Sequence, residues 1–251
     1  MRRHLNTLYV TTQGAWLNKD GENVVVSVEN VERGRVPIHT IGGIIGFGRV
    51  LVSSPLLGAC CAAGISVHYL TEEGRFLARV EGPVSGNVLL RRTQYRWADD
   101  TARRDAIIKS IVAGKILNQR SVLTRAGRDH GGTMEGADRD ALSAAADRLA
   151  GIVKRTEKPL DGDQLRGAEG EAGQVYFSVF DHLVRSDKPL FTFKGRSRRP
   201  PLDATNALLS FAYALLTSDV RGALESVGLD PAVGYLHVDR PGRPSLALDL
   251  M

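Results

Sequence analysis

Leu165-Arg-Gly-Ala-Glu-Gly-Glu-Ala-Gly-Gln-Val-Tyr-Phe-Ser-Val-Phe180 is the stretch from which the rest of the chain can be read. As a helix it draws one apolar stripe, because Leu165, Ala168, Ala172, Val175, Tyr176, Val179 and Leu183 recur at three- and four-residue intervals. Glu169 lies on that stripe. Glu171, about 200° further round, is expected to face water. A carboxylate on a packed face is costly unless a cation or hydrogen-bond donors meet it. Two readings follow: a partly buried Glu paired with an arginine, or a ligand on a working surface. Gly167, Gly170 and Gly173 each cost about 1 kcal/mol relative to alanine inside a helix. That cost makes sense where another backbone or a phosphate comes close.

Outward from this helix, length and composition set bounds. At 251 residues the chain accommodates one large domain or two modest ones, and 43% apolar residues suffice for a core. The net charge of +5 leans toward polyanions without identifying a nucleic-acid binder. Cys60 and Cys61, adjacent in an apolar run, neither bridge segments nor have metal-ligand spacing, and read as small buried side chains in a reducing cytoplasm. No secretory signal is visible, and no run near 20 apolar residues suggests a membrane span.

Residues 5–80 read as β, with strands at Leu5–Thr11, Ala15–Asn18, Val24–Glu29, Arg35–His39, Arg49–Ser53, Ile65–Leu70 and Arg75–Val80, and a short helix over Pro55–Ala63. Gly43-Ile-Ile-Gly-Phe-Gly48 lacks the ending and setting of a phosphate loop and reads as glycine punctuation of tight β turns. Composition changes at 81–86, a connector. Asn87–Thr124 reads as one long helix or two, carrying Arg91, Arg92, Arg96, Arg103 and Arg104, either a solvated face or the start of a phosphate-binding surface. Gly127–Gly136 reads as a loop and Asp138–Arg155 as a helix. Between Lys188 and Arg199 lie the cations Lys188, Lys194, Arg196, Arg198 and Arg199, with Phe191 and Phe193 interleaved as exposed aromatics. That segment suits nucleic-acid binding as well as a solvated loop. Asp203 caps a largely apolar helix that Gly228 ends.

Three polar residues stand in apolar settings toward the C-terminus: Glu169, His237 and Asp249. Singly they read as a paired acid, a satisfied histidine and a helix cap. Together their oxygen and imidazole donors suit Mn²⁺ or Mg²⁺, although their spacing fits no compact metal motif.

Gly167–Phe177, Arg198–Leu216, Gly228–His237 and Ser245–Met251, in that order, resemble the CRISPR-associated endonuclease and integrase of spacer acquisition. Gly86-Asn87 with Arg91, Arg92, Gln94 and Tyr95, and Lys115 through Arg120, resemble that family's first helices. The resemblance implies an α+β protein: a small N-terminal β domain over 1–80, a linker at 81–86 and a larger helical catalytic domain over 87–251. It implies metal-dependent nuclease and integrase activity, in which a 3′-OH of captured DNA attacks the repeat backbone. It also implies a homodimer acting on double-stranded or branched DNA with a small companion subunit. Glu169 and His237 match two metal ligands, for Mg²⁺ or Mn²⁺. The third normally lies at what would be position 252, past Met251, so the ligand set looks incomplete and a truncated chain is expected. Asp249 matches a nearby acidic position, as ligand or as support for the ligands. Lys188, Lys194, Arg196, Arg198, Arg199, Arg91 and Arg92 are the expected phosphate contacts. The competing reading is a non-catalytic basic scaffold.

Overall fold

A computed structural model of the chain describes residues 6–82, 87–185 and 188–251. It divides into two compact units, Met1–Gln94 with Tyr213–Pro231, and Tyr95–Ala212 with Ala232–Met251. Residues 83–86 of the expected linker lie outside the described residues. A domain boundary at 81–86 stays a proposal.

In the first unit two four-stranded sheets share one core. The first has the order β1 (Asn6–Val10), β5 (Ile41–Phe47), β7 (Ser66–Leu70), β8 (Phe76–Val80). The second runs β4 (Val31–Pro37), β3 (Asn23–Val28), β2 (Trp16–Asp20), β6 (Leu51–Val52). The β3–β4 hairpin turns on Glu29 and Asn30, both at positive φ (51° and 63°), as a two-residue primed turn requires. Helix α1 (Ser54–Ala63) presents Leu56 and Cys60, one turn apart, to the core formed with Val10, Leu17, Val24, Ile44 and Val67.

The Ile41–Phe47 segment corrects the reading of its glycines as turns. It is a central strand, parallel to both β1 and β7. A Cβ on Gly43 would stand 3.0 Å from Ser66 Oγ, and one on Gly46 3.0 Å from Val50 Cβ. These glycines let neighbouring groups approach a strand that is covered on both faces.

Helix α6 (Ala204–Ser226) contributes its second half to this unit. Leu215 packs on Ile45, Phe47 and Leu70. Asp219 accepts hydrogen bonds from the Tyr9 and Thr7 hydroxyls, and Glu225 pairs with Arg79 at 2.6 Å. A Cβ on Gly222 would stand only 2.7 Å from Ser66 Cβ, so glycine sets the closeness of helix to sheet.

His68 is 2% exposed on β7, and its Nδ1 has no partner among the described residues. Burial, reinforced by the Arg79 and Arg221 charges, lowers its pKa to about 4. The unfolded chain, with an ordinary histidine, takes up a proton first as pH falls. The stability linked to neutral His68 is therefore complete above pH ~6.5 and is lost toward pH ~4, by ~3 kcal/mol in all. Denaturant unfolding across this range is expected to show that slope in the natural chain and its loss in His68→Leu; equal slopes would refute the assignment.

The second unit is a helical bundle. After α2 (Val88–Asp99), which straddles the two units, come α3 (Thr101–His130), α4 (Gly136–Thr156) and α5 (Gly162–Ser178). The stretch read as one helix or two is two. Asp100 ends the first and caps the second by accepting from Arg103 N. Helix α3 continues through His130, so the loop expected from Gly127 begins later. Asp161 opens α5 with a capping box to Gln164. The core unites Ile108, Val112 and Ile116 of α3 with Leu142, Leu149 and Ile152 of α4 and Leu165, Ala172 and Val175 of α5. The short helix α7 (Ser245–Asp249) closes the described chain.

Candidate active site

The stripe on α5 is buried as its spacing requires: Leu165, Ala168, Ala172, Val175 and Val179 all face the core. Glu169 sits at the stripe's margin, its side chain 27% exposed, and accepts a 2.5 Å hydrogen bond through Oε1 from Lys115 Nζ on α3. The partner is thus a lysine rather than an arginine. Glu171 is ion-paired with Arg155. A Cβ on Gly167, Gly170 or Gly173 would meet nothing within 4 Å, so no protein backbone packs against these glycines. At about 100° per residue they leave a side-chain-free strip running round the helix to one side of Glu169.

Asp249, at the end of α7, has a fully buried side chain. Its Oδ2 accepts from Tyr235 N (2.6 Å) and Leu236 N (3.0 Å); its Oδ1 accepts from His237 N (2.8 Å) and lies 2.7 Å from His237 Nδ1. Four donors on one carboxylate fold the 235–237 segment around it. A carboxylate accepts, so Nδ1 is the nitrogen that donates in this contact, and Nε2, on a ring 30% exposed, is not engaged by it. Both Asp249 oxygens are taken up by these donors, and Oδ1 orients the His237 ring. Gly234 makes this closure possible, since a Cβ there would stand 2.6 Å from Ser245 Cβ and 2.8 Å from His237 O.

Arg166, one turn before Glu169, donates to Leu236 O through Nε (3.3 Å) and Nη2 (3.1 Å). It ties α5 to the residue preceding His237. His237 lines an open cleft of about 620 Å³ with Asp105, Asp163, Arg166 and Asp239; Glu169 is not among its lining residues. Among the described residues no group of three or more His, Cys, Asp or Glu is placed to hold a metal ion, so Glu169, His237 and Asp249 do not form a three-ligand centre.

The basic segment divides in two. Lys188 is spent on Asp181, through its carbonyl (2.5 Å) and Oδ2 (2.8 Å). Arg196 is anchored on Asn206 Oδ1 (2.9 Å) and Ser197 O (2.6 Å), and Arg91 on Gly228 O (3.2 Å). These three make contacts within the fold. Lys194, Arg198, Arg199 and Arg92 are exposed. Phe193 is 6% exposed, packed among Phe177 and Phe180, which corrects its reading as an exposed aromatic. Sequence reasoning missed Arg166 and Gly234, whose partners lie about 70 and 11 residues away, and gave Lys115 no role.

The family profile described as CRISPR associated protein Cas1 matches residues 8–251. The chain belongs to the Cas1 family. It is similar to a CRISPR-associated endonuclease Cas1 of Rhodospirillum rubrum, 58% identical over 100% of this chain and 72% of that one. A second such endonuclease, from Chlorobaculum tepidum, is 53% identical with the same coverage. The solved structure of a Cas1 protein from Thermotoga maritima superposes with a TM-score of 0.73 at 25% identity, covering 98% of this chain and 73% of that one. A casposase bound to integration product shares the fold at 22% identity and the same TM-score. This Cas1 chain is accordingly an endonuclease of the CRISPR-associated Cas1 family, with the α+β order of strands first and helices after, as the motifs imply. No helix among the described residues is long and apolar enough to cross a membrane.

Proposed function

We propose that this Cas1 chain cuts and joins DNA at a centre built on Glu169 and His237, with Asp249 as the support of the histidine. The observation that carries the reading is the 2.7 Å contact between His237 Nδ1 and the buried Asp249 carboxylate, itself held by three backbone amides. A ring fixed in this way offers Nε2 in one orientation and one tautomer. The donor set suits a hard or borderline divalent cation: one imidazole nitrogen, and one carboxylate whose Oε2 has no partner among the described residues. Mg²⁺ or Mn²⁺, when bound there, polarises a phosphodiester and lowers the pKa of an attacking hydroxyl.

The chain's own residues supply the rest. Arg166 keeps the 235–237 segment against α5. The glycine strip beside Glu169 lets a phosphodiester backbone approach without meeting a side chain. Lys194, Arg198, Arg199 and Arg92 hold phosphates without reading sequence. The acting assembly proposed is a cytoplasmic homodimer with the small companion subunit on double-stranded or branched DNA.

Two measurements test this. Cleavage of branched or linear DNA is expected with Mn²⁺ and to vanish with chelator; salt-sensitive DNA binding with no metal-dependent cleavage would leave the basic scaffold. Replacing Lys194, Arg198 and Arg199 together by alanine is expected to weaken DNA binding and reduce the salt slope by roughly 2–3. Replacing Lys188 is expected to leave the slope unchanged, because its charge is already paired.

A further inference from the structure

Lys115, which meets Glu169, and Gln119 lie one turn apart on α3. The Lys115 ammonium rests on Glu169 Oε1 at 2.5 Å, the two side chains 24% and 27% exposed. Gln119 Oε1 is a buried acceptor with no hydrogen-bond partner among the described residues. Such an atom ordinarily carries a cost of ~1–3 kcal/mol, so its persistence calls for a partner. At a spacing of four residues, side chains on a helix are neighbours, with Cβ atoms ~5–6 Å apart. A flexible lysine therefore has two acceptors within reach: a carboxylate where it now sits and an amide oxygen that waits.

We propose that Lys115 is a resident cation of the Glu169 site, which a divalent metal displaces onto Gln119. This rests on the reading of Glu169 as a metal ligand. A divalent ion stands ~2.0–2.2 Å from a ligand oxygen. An ammonium on the same carboxylate would face it across a few ångströms in a partly desolvated site, where like charges repel strongly. One of the two must leave. Lys115 keeps the carboxylate neutralised and oriented before the ion arrives, and Gln119 lowers the cost of giving it up. Lys115 is in this sense a positioning residue: it sets the affinity for the metal by competing with it.

Calorimetric titration of the full chain with Mn²⁺ alone tests the proposal. Lys115→Met is expected to tighten binding about fivefold, because no ion pair has to be broken. Lys115→Arg, which keeps the charge, is expected not to tighten it. Gln119→Met is expected to weaken binding, and to have no effect when Lys115 is already methionine. Unchanged or weaker binding in Lys115→Met, while Glu169→Gln still abolishes it, would overturn the competition. Mn²⁺ binding indifferent to Glu169→Gln would instead remove the ligand reading beneath it. A measurement on the unaltered chain serves should a variant not fold. The Lys115 Nζ resonance, sheltered by its ion pair, is expected to shift to a new position on saturation with Mg²⁺. A resonance that stays in place at saturation would refute the displacement.

Discussion

Asp249→Ala is expected to destabilise the helical unit by about 3–5 kcal/mol and to lower DNA cleavage by ~100-fold or more. The two losses have one origin. The carboxylate is fully buried and receives the amides of Tyr235, Leu236 and His237 together with His237 Nδ1. Alanine leaves three backbone N–H groups facing an apolar methyl, and a buried donor without an acceptor costs roughly 1–3 kcal/mol. Asp249→Asn separates stability from chemistry. The amide has nearly the shape of the acid, but one of its two ends becomes an NH₂ aimed at donors. Turned toward His237, that NH₂ would draw the imidazole proton onto Nε2, the nitrogen meant to be a lone pair. Asn is therefore expected to keep more of the stability than alanine, yet little of the cleavage. Urea unfolding and a metal-dependent cleavage assay on both variants decide it; a fully active Asn variant would refute the proposed tautomer control.

The residues that were legible in the sequence share a property: their partners are near in sequence or their pattern repeats. The α5 stripe, the capping acid at position 203 and the isolation of Asp249 among apolar neighbours all follow from periodicity or local chemistry. Ile41–Phe47 was not legible, because a strand with parallel neighbours on both sides shows no alternation, and its glycines mimic turns. Lys115 was illegible for a different reason. Nothing within its own helix distinguishes it from Lys109, and Glu169 lies 54 residues away. The basic loop is a third case. Composition counts charges, whereas Lys188 and Arg196 show that folding spends some of them on carbonyls and carboxylates of the same chain.

Glu169→Ala is expected to reduce metal-dependent cleavage by at least ~10³-fold, about 4 kcal/mol in the transition state, with little change in stability. The contrast follows from where the residue sits. Its ion pair with Lys115 is partly exposed, and pairs of that kind contribute ~0–1 kcal/mol. The lysine left behind can turn its ammonium toward water. Glu171 provides the internal control, two residues along the same helix and ion-paired with Arg155 at half-exposed positions. Glu171→Ala is expected to alter stability by no more than ~0.5 kcal/mol and to leave cleavage unchanged. Rates measured for the two variants at saturating Mn²⁺ separate the position on the helix from the charge it carries. If both lose activity equally, the acid of α5 acts through the general field of the helix, and Glu169 has no claim as a ligand. If only Glu169→Ala falls, the margin of the apolar stripe, flanked by glycines, is where this helix meets the reacting phosphate.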